Sequence, residues 1–256
     1  MARCRCGSYA GWIDIAGDRS STGSASVAHA FALGLSAGAL ATRQSDELLA
    51  ACERTAETAE RRLPDVSVTL VADWWQADNP CPAGTELKGG PPPDGTGEVY
   101  CQEPGGTKEG PYVSWHFSTR HPWKLGRYNH GRQTGVWQQW DADGQLEVRE
   151  QWRDGVQHGR STYWRTSSSG SSLVFDGMYR DGARHGFARV GEDCRRACFA
   201  EGFYCRDRKH GPWSIRDAGG AVRSEGRYHD GYEHGIWNYR GSRVEYRHGV
   251  EIGNPR

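Results

Sequence analysis

Apolar positions change character along this chain. From residue 101 onward only six Leu or Ile residues occur (Leu125, Leu146, Leu173, Ile215, Ile236 and Ile252), against eight of the eleven Trp residues. Segments such as Gly135-Val-Trp-Gln-Gln-Trp140 and Gly211-Pro-Trp-Ser-Ile215 are short, aromatic and bounded by turn residues, which predicts strands. Asp141-Ala-Asp-Gly144 and Asp217-Ala-Gly-Gly220 follow such segments and predict hairpin turns, because glycine reaches positive φ without steric cost. An aliphatic core cannot be assembled from this material. Rows of aromatic rings, each burying on the order of 150 to 250 Å², must take its place.

A motif governs these segments: aromatic, two residues, Gly, three residues, Gly. Its glycine pairs fall at Gly106/Gly110, Gly131/Gly135, Gly155/Gly159, Gly182/Gly186, Asp207/Gly211 (first glycine replaced), Gly231/Gly235 and Gly249/Gly253, with second glycines 25, 24, 27, 25, 24 and 18 residues apart. Tyr128, Trp152, Tyr179, Tyr204, Tyr228 and Tyr246 stand three positions before the first glycine. Two positions after the second glycine come Tyr112, Trp137, Trp213 and Trp237, with Ser161 and Ala188 as exceptions. A fixed period of this kind predicts strand–turn–strand units stacked so that each touches only its neighbours. The expected architecture is all-β, an elongated array of hairpins.

Gly226-Arg-Tyr228-His-Asp-Gly231-Tyr-Glu-His-Gly235 and Gly177-Met-Tyr179-Arg-Asp-Gly182-Ala-Arg-His-Gly186 resemble the units of MORN repeats, and the resemblance covers residues 100 to 256. Trp137, Trp213 or Trp237 stands where that family has its last glycine, a departure similar to a bacterial branch described as antitoxin-like. The resemblance implies a curved sheet of hairpins that serves protein association. Membrane-lipid contact, proposed for some members, is less well supported with tryptophan at that position.

The rest of the chain divides into a leader at 1–41, a helix and cap at 42–75, a cysteine-bounded loop at 76–105 and the array at 106–256. Residues 26 to 42 form the one long apolar run, ending near Ala39-Leu-Ala41, a small-x-small sequence typical of signal cleavage. Export to the periplasm, cell surface or medium is the favoured reading, with a cytoplasmic chain as the alternative. Residues 44 to 62 predict a helix, with Ser45 as N-cap and Pro64 as its stop. Residues 66 to 72 predict a strand or linker leading into Trp74 and Trp75, a candidate cap for the sheet. Loss of the leader leaves six cysteines, and Cys81 with Cys101 is the expected disulfide because the pair flanks a Pro/Gly-rich loop.

Formal charge is zero, which argues against a nucleic-acid partner. No nucleotide, serine-hydrolase or zinc-protease motif appears, so neither an enzyme nor a cofactor is expected. His158, His185, His210 and His234 each precede a second glycine. Units of two strands lie roughly 9 to 10 Å apart, too far for successive histidines to share one ion, so exposed turn histidines are expected. Cys194, Cys198, Cys205 and His210 loosely resemble a zinc knuckle, but a disulfide across the turn is simpler. Asp141 and Asp143 read as turn residues and not as a calcium loop, since Trp152 occupies the twelfth position.

The favoured function is protein interaction or scaffolding through Trp137, Trp140, Trp213 and Trp237. Gly-x-Trp repeats also resemble choline-binding modules, so a carbohydrate or choline-type cell-wall ligand is one alternative. An antitoxin-like immunity partner, implied by the resemblance, is another.

Overall fold

The computed structural model describes residues 51–52, 63, 71–167, 170–192 and 198–255. The expected leader lies outside them, as do most of the predicted helix and most of residues 66–72. Of the helix, Ala51 and Cys52 are described and are helical. Val71 and Ala72 are not in a strand, and Trp74–Gln76 form one turn of 3-10 helix.

The array is one open antiparallel sheet in which strands follow one another in chain order. Its strands are β1 (Glu86–Gly90), β2 (Glu98–Gln102), β3 (Lys108–Trp115), β4 (Pro122–Asn129), β5 (Arg132–Trp140), β6 (Leu146–Arg153), β7 (Val156–Gln157), β8 (Gly159–Ser167), β9 (Gly170–Arg180), β10 (Ala183–Glu192), β11 (Cys198–Cys205), β12 (Arg208–Arg216), β13 (Val222–His229), β14 (Tyr232–Tyr239), β15 (Ser242–Arg247) and β16 (Val250–Gly253). The sheet therefore starts before Gly106, and β1 lies inside the loop closed by Cys81 and Cys101.

The two glycines of each motif do different work. Seven two-residue hairpins have both central residues left-handed, from His130-Gly131 to His248-Gly249, with φ of 41° to 52° at the first and 69° to 97° at the second. These are type I′ turns, whose twist matches that of the flanking strands. The motif's first glycine is the second central residue. Asp207 replaces it at φ 69°, a conformation that Asp tolerates better than most residues. Six of the seven turns are tied to the unit before them: the N–H groups of Gly131, Gly155, Gly182, Asp207, Gly231 and Gly249 donate to the carbonyls of Lys108, Gln133, Gln157, Arg184, Lys209 and Glu233 at 2.9 to 3.0 Å.

The second glycine belongs to the next strand and not to the turn. Gly135, Gly211 and Gly235 have φ of 66° to 72° and sit at register shifts, where Gly126, Gly202 or Gly226 faces a bulged partner strand. The bulge carries Trp137, Trp213 or Trp237 over that facing glycine. A Cβ on Gly126, Gly202 or Gly226 would stand 2.2, 2.4 or 2.2 Å from the indole. Only a glycine permits such a contact. In the unit with Ala188, the space above Gly177 is filled by Phe175, 2.6 Å from the same construction.

Neighbouring tyrosines close over the indoles. Tyr204, Trp213, Tyr228 and Trp237 alternate edge to face with centroids 5.2, 5.9 and 5.2 Å apart. Tyr112, Tyr128 and Trp137 make the equivalent group at the other end. Each such pair contributes about 0.5 to 1.5 kcal/mol beyond its buried area. The opposite face starts with Val99, Val113 and Leu125, covered by Trp74, Trp75, Trp115 and Trp140. Trp74 and Trp75 thus cap a face of the first strands.

Candidate interaction surface

Three of the four tryptophans expected to present a surface are inside the protein. Trp137, Trp213 and Trp237 are 0, 2 and 2 % exposed, and the indoles of Trp213 and Trp237 donate to the carbonyls of Phe203 and Arg227 at 3.0 and 3.1 Å. Trp140 is half-buried against the Val99 cluster. The reason is the bulge, which turns each of the three over a glycine and under two tyrosines. Among the repeat positions, Tyr204 is buried, Tyr128, Tyr179, Tyr228 and Tyr246 are half-buried, and Trp152 donates its indole N–H to Glu150 at 3.0 Å.

The aromatic groups do converge, but around the chain's own cations. Lys108 Nζ lies 4.2 Å from the Tyr100 ring centre and 4.7 Å from that of Tyr112. Lys209 Nζ lies 4.6 Å from Trp213 and 5.0 Å from Tyr228, and Arg184 covers Tyr204 at 4.6 Å. Lys124 covers Trp137 at 5.0 Å, and burial pulls its ammonium pKa down while Glu150 pulls it up. Cation–π attraction therefore holds these side chains onto the ladder.

On the other face, the register continues the apolar row of Val99, Val113 and Leu125 with polar residues: Gln138, Arg149, Thr162, Asp176, Arg189 and Glu201. Asp176 is 8 % exposed and accepts two bonds from the Arg160 guanidinium, at 2.8 and 2.9 Å, and one from Thr162 at 3.0 Å. Glu201 receives Arg189 and Arg216 at 3.2 and 2.7 Å. These carboxylates are saturated by their partners, as buried charges must be. They hold the sheet rather than await a ligand.

Disulfides pin two further points. Cys81–Cys101 closes its loop as expected, and Cys52–Cys205 ties the helical Ala51–Cys52 segment to β11. Cys198 is disulfide-bonded too, with a partner outside the described residues. Neither Cys198 nor Cys205 is therefore a thiolate for the knuckle considered above. Such bonds persist in oxidising compartments.

His185 lies beside the Cys52–Cys205 bridge, and burial, then Arg180 and Arg206, push its pKa down. A histidine depressed in the folded state contributes full stability above its ordinary value near 6.5 and costs stability as pH falls below it. His185→Gln is expected to reduce the drop in denaturation midpoint between about pH 7.5 and about pH 5.5. An unchanged drop would contradict this placement.

The expectation of exposed turn histidines is not met: His234 is exposed but lies in β14, His158 and His185 are half-buried, and His210 is 1 % exposed. His158 and His210 accept the N–H of Asp181 and Asp230 in the next turn, at 3.4 and 3.3 Å, so the position joins successive turns. Asp141 Oδ1 is likewise taken by backbone, accepting from Asp143 and Gln145 at 3.0 and 2.8 Å.

Exposed apolar side chains gather at the last strands instead. Tyr232 and Ile236 on β14 are 57 and 48 % exposed, and Val250 and Ile252 on β16 are 63 and 47 % exposed. Among the described residues β16 pairs only with β15, leaving one edge open. No protein-family model and no curated protein matches this chain.

Proposed function

We propose that the chain is a non-enzymatic, exported protein-interaction module built from MORN-like repeats, and that it docks a protein partner through β14–β16. The observation carrying this reading is the group Tyr232, Ile236, Val250 and Ile252, exposed beside an open strand edge while the ladder aromatics are committed to packing. Exposed apolar side chains grouped beside unpaired backbone suit strand addition by a partner. The disulfides support export. The choline-type alternative is less well supported, because Lys108 and Lys209 already occupy the aromatic cages that would bind a quaternary ammonium.

The test is affinity capture from the exported fraction of the native host with the purified chain. The double variant Ile236→Glu/Val250→Glu should lose the retained protein, while Val156→Glu, at an exposed position on β7, should keep it. Equal capture by all three, or capture by none at low and high salt, would overturn this reading.

A further inference from the structure

Four histidines come together at the C-terminal end of the array, two of them (His229 and His248) between the motif's aromatic residue and its first glycine. His229 ends β13, His234 lies in β14, and His248 is the first residue of the β15–β16 turn. Their ring centres form a closed triangle with sides of 5.7, 6.2 and 5.5 Å. Behind it His210 packs on His229 at 5.4 Å and accepts the Asp230 N–H through Nδ1, which fixes the back of the group.

The size of the triangle carries the argument. A point equidistant from the three ring centres lies about 3.4 Å from each. Zinc bound to an imidazole nitrogen at 2.0 to 2.1 Å stands about 3.2 Å from the ring centre, so one ion fits inside without moving the backbone. His229 Nδ1 is buried with no hydrogen-bond partner, an arrangement that costs free energy unless a ligand satisfies it. His234 and His248 are exposed. The ring nitrogens of the three do not lie within 4.8 Å of one another, so an ion would require the two exposed rings to turn inward.

We propose that His229, His234 and His248 form a three-imidazole site for a divalent transition ion of zinc-like character, with the remaining position open to water. All three donors are neutral imidazole nitrogens, and no carboxylate is among them. That selects borderline metals over calcium and magnesium, which take oxygen ligands. The site goes beyond the docking reading and does not depend on it.

The experiment is calorimetric titration of the purified full chain with zinc chloride near neutral pH. One site per chain is expected, undisturbed by excess calcium. His234→Gln and His248→Asn should each weaken it about tenfold or more, because each removes one of three ligands. Both alter exposed positions, and asparagine suits the left-handed turn at 248. His158→Gln should bind as the parent does. The proposal is overturned if the parent takes up no zinc, or if His234→Gln and His248→Asn bind as tightly as the parent.

Discussion

Trp213→Ala is expected to destabilise the protein by about 3 to 5 kcal/mol, the range for removing a buried tryptophan. The indole is 2 % exposed, lies against Gly202, meets Tyr204 and Tyr228 edge-on and donates to the Phe203 carbonyl. Alanine would leave a cavity and a carbonyl without that donor. Because each unit contacts only the next, the damage should begin as local opening around β11–β14. Trp123→Ala is the control. Trp123 is 47 % exposed, and its loss should cost well under about 1 kcal/mol. Equilibrium unfolding in urea measures both, and hydrogen exchange locates the opening.

Removing the Cys52–Cys205 bridge should cost about 5 kcal/mol in the chain-entropy account, because the bridge closes a separation of 153 residues. Cys81–Cys101 closes a separation of 20, for which the same account gives about 3 kcal/mol. The paired variants Cys52→Ser/Cys205→Ser and Cys81→Ser/Cys101→Ser separate the two contributions. Thermal unfolding of both should fall below the parent, the long-range pair falling further. Equal midpoints for the parent and the long-range variant would contradict a role for this bridge in stability.

Hairpins, their order and the aromatic replacement of an aliphatic core follow from the sequence because they rest on local chemistry. A period near 24 residues, turn residues at fixed offsets and few Leu or Ile residues leave few other ways to bury the chain. The direction of each indole was not legible. It depends on the bulge at the second glycine, which the spacing alone reads as part of a turn. Tryptophans that resemble a binding surface in the sequence are therefore packing residues. The exposed apolar group was hidden for the opposite reason: Ile236 and Val250 look ordinary in a strand pattern, and only the sheet order places them at an open edge. Cys52–Cys205 joins residues far apart in the chain and has no local signature. His229 and His248 have no such signature, because they fill different positions between the motif's aromatic residue and its first glycine, and only the sheet brings them beside His234.

A double-mutant cycle between Gly202→Ala and Trp213→Ala tests the central structural claim, that each bulge seats an indole on a facing glycine. In the parent, an added methyl at residue 202 would meet the ring at 2.4 Å, so Gly202→Ala should cost about 2 kcal/mol or more. With Trp213 already replaced by alanine, the ring is gone and the same methyl should cost far less, giving a coupling energy of about 2 kcal/mol. Effects that add within about 0.5 kcal/mol would contradict the account, because the indole and the glycine would then not be in contact.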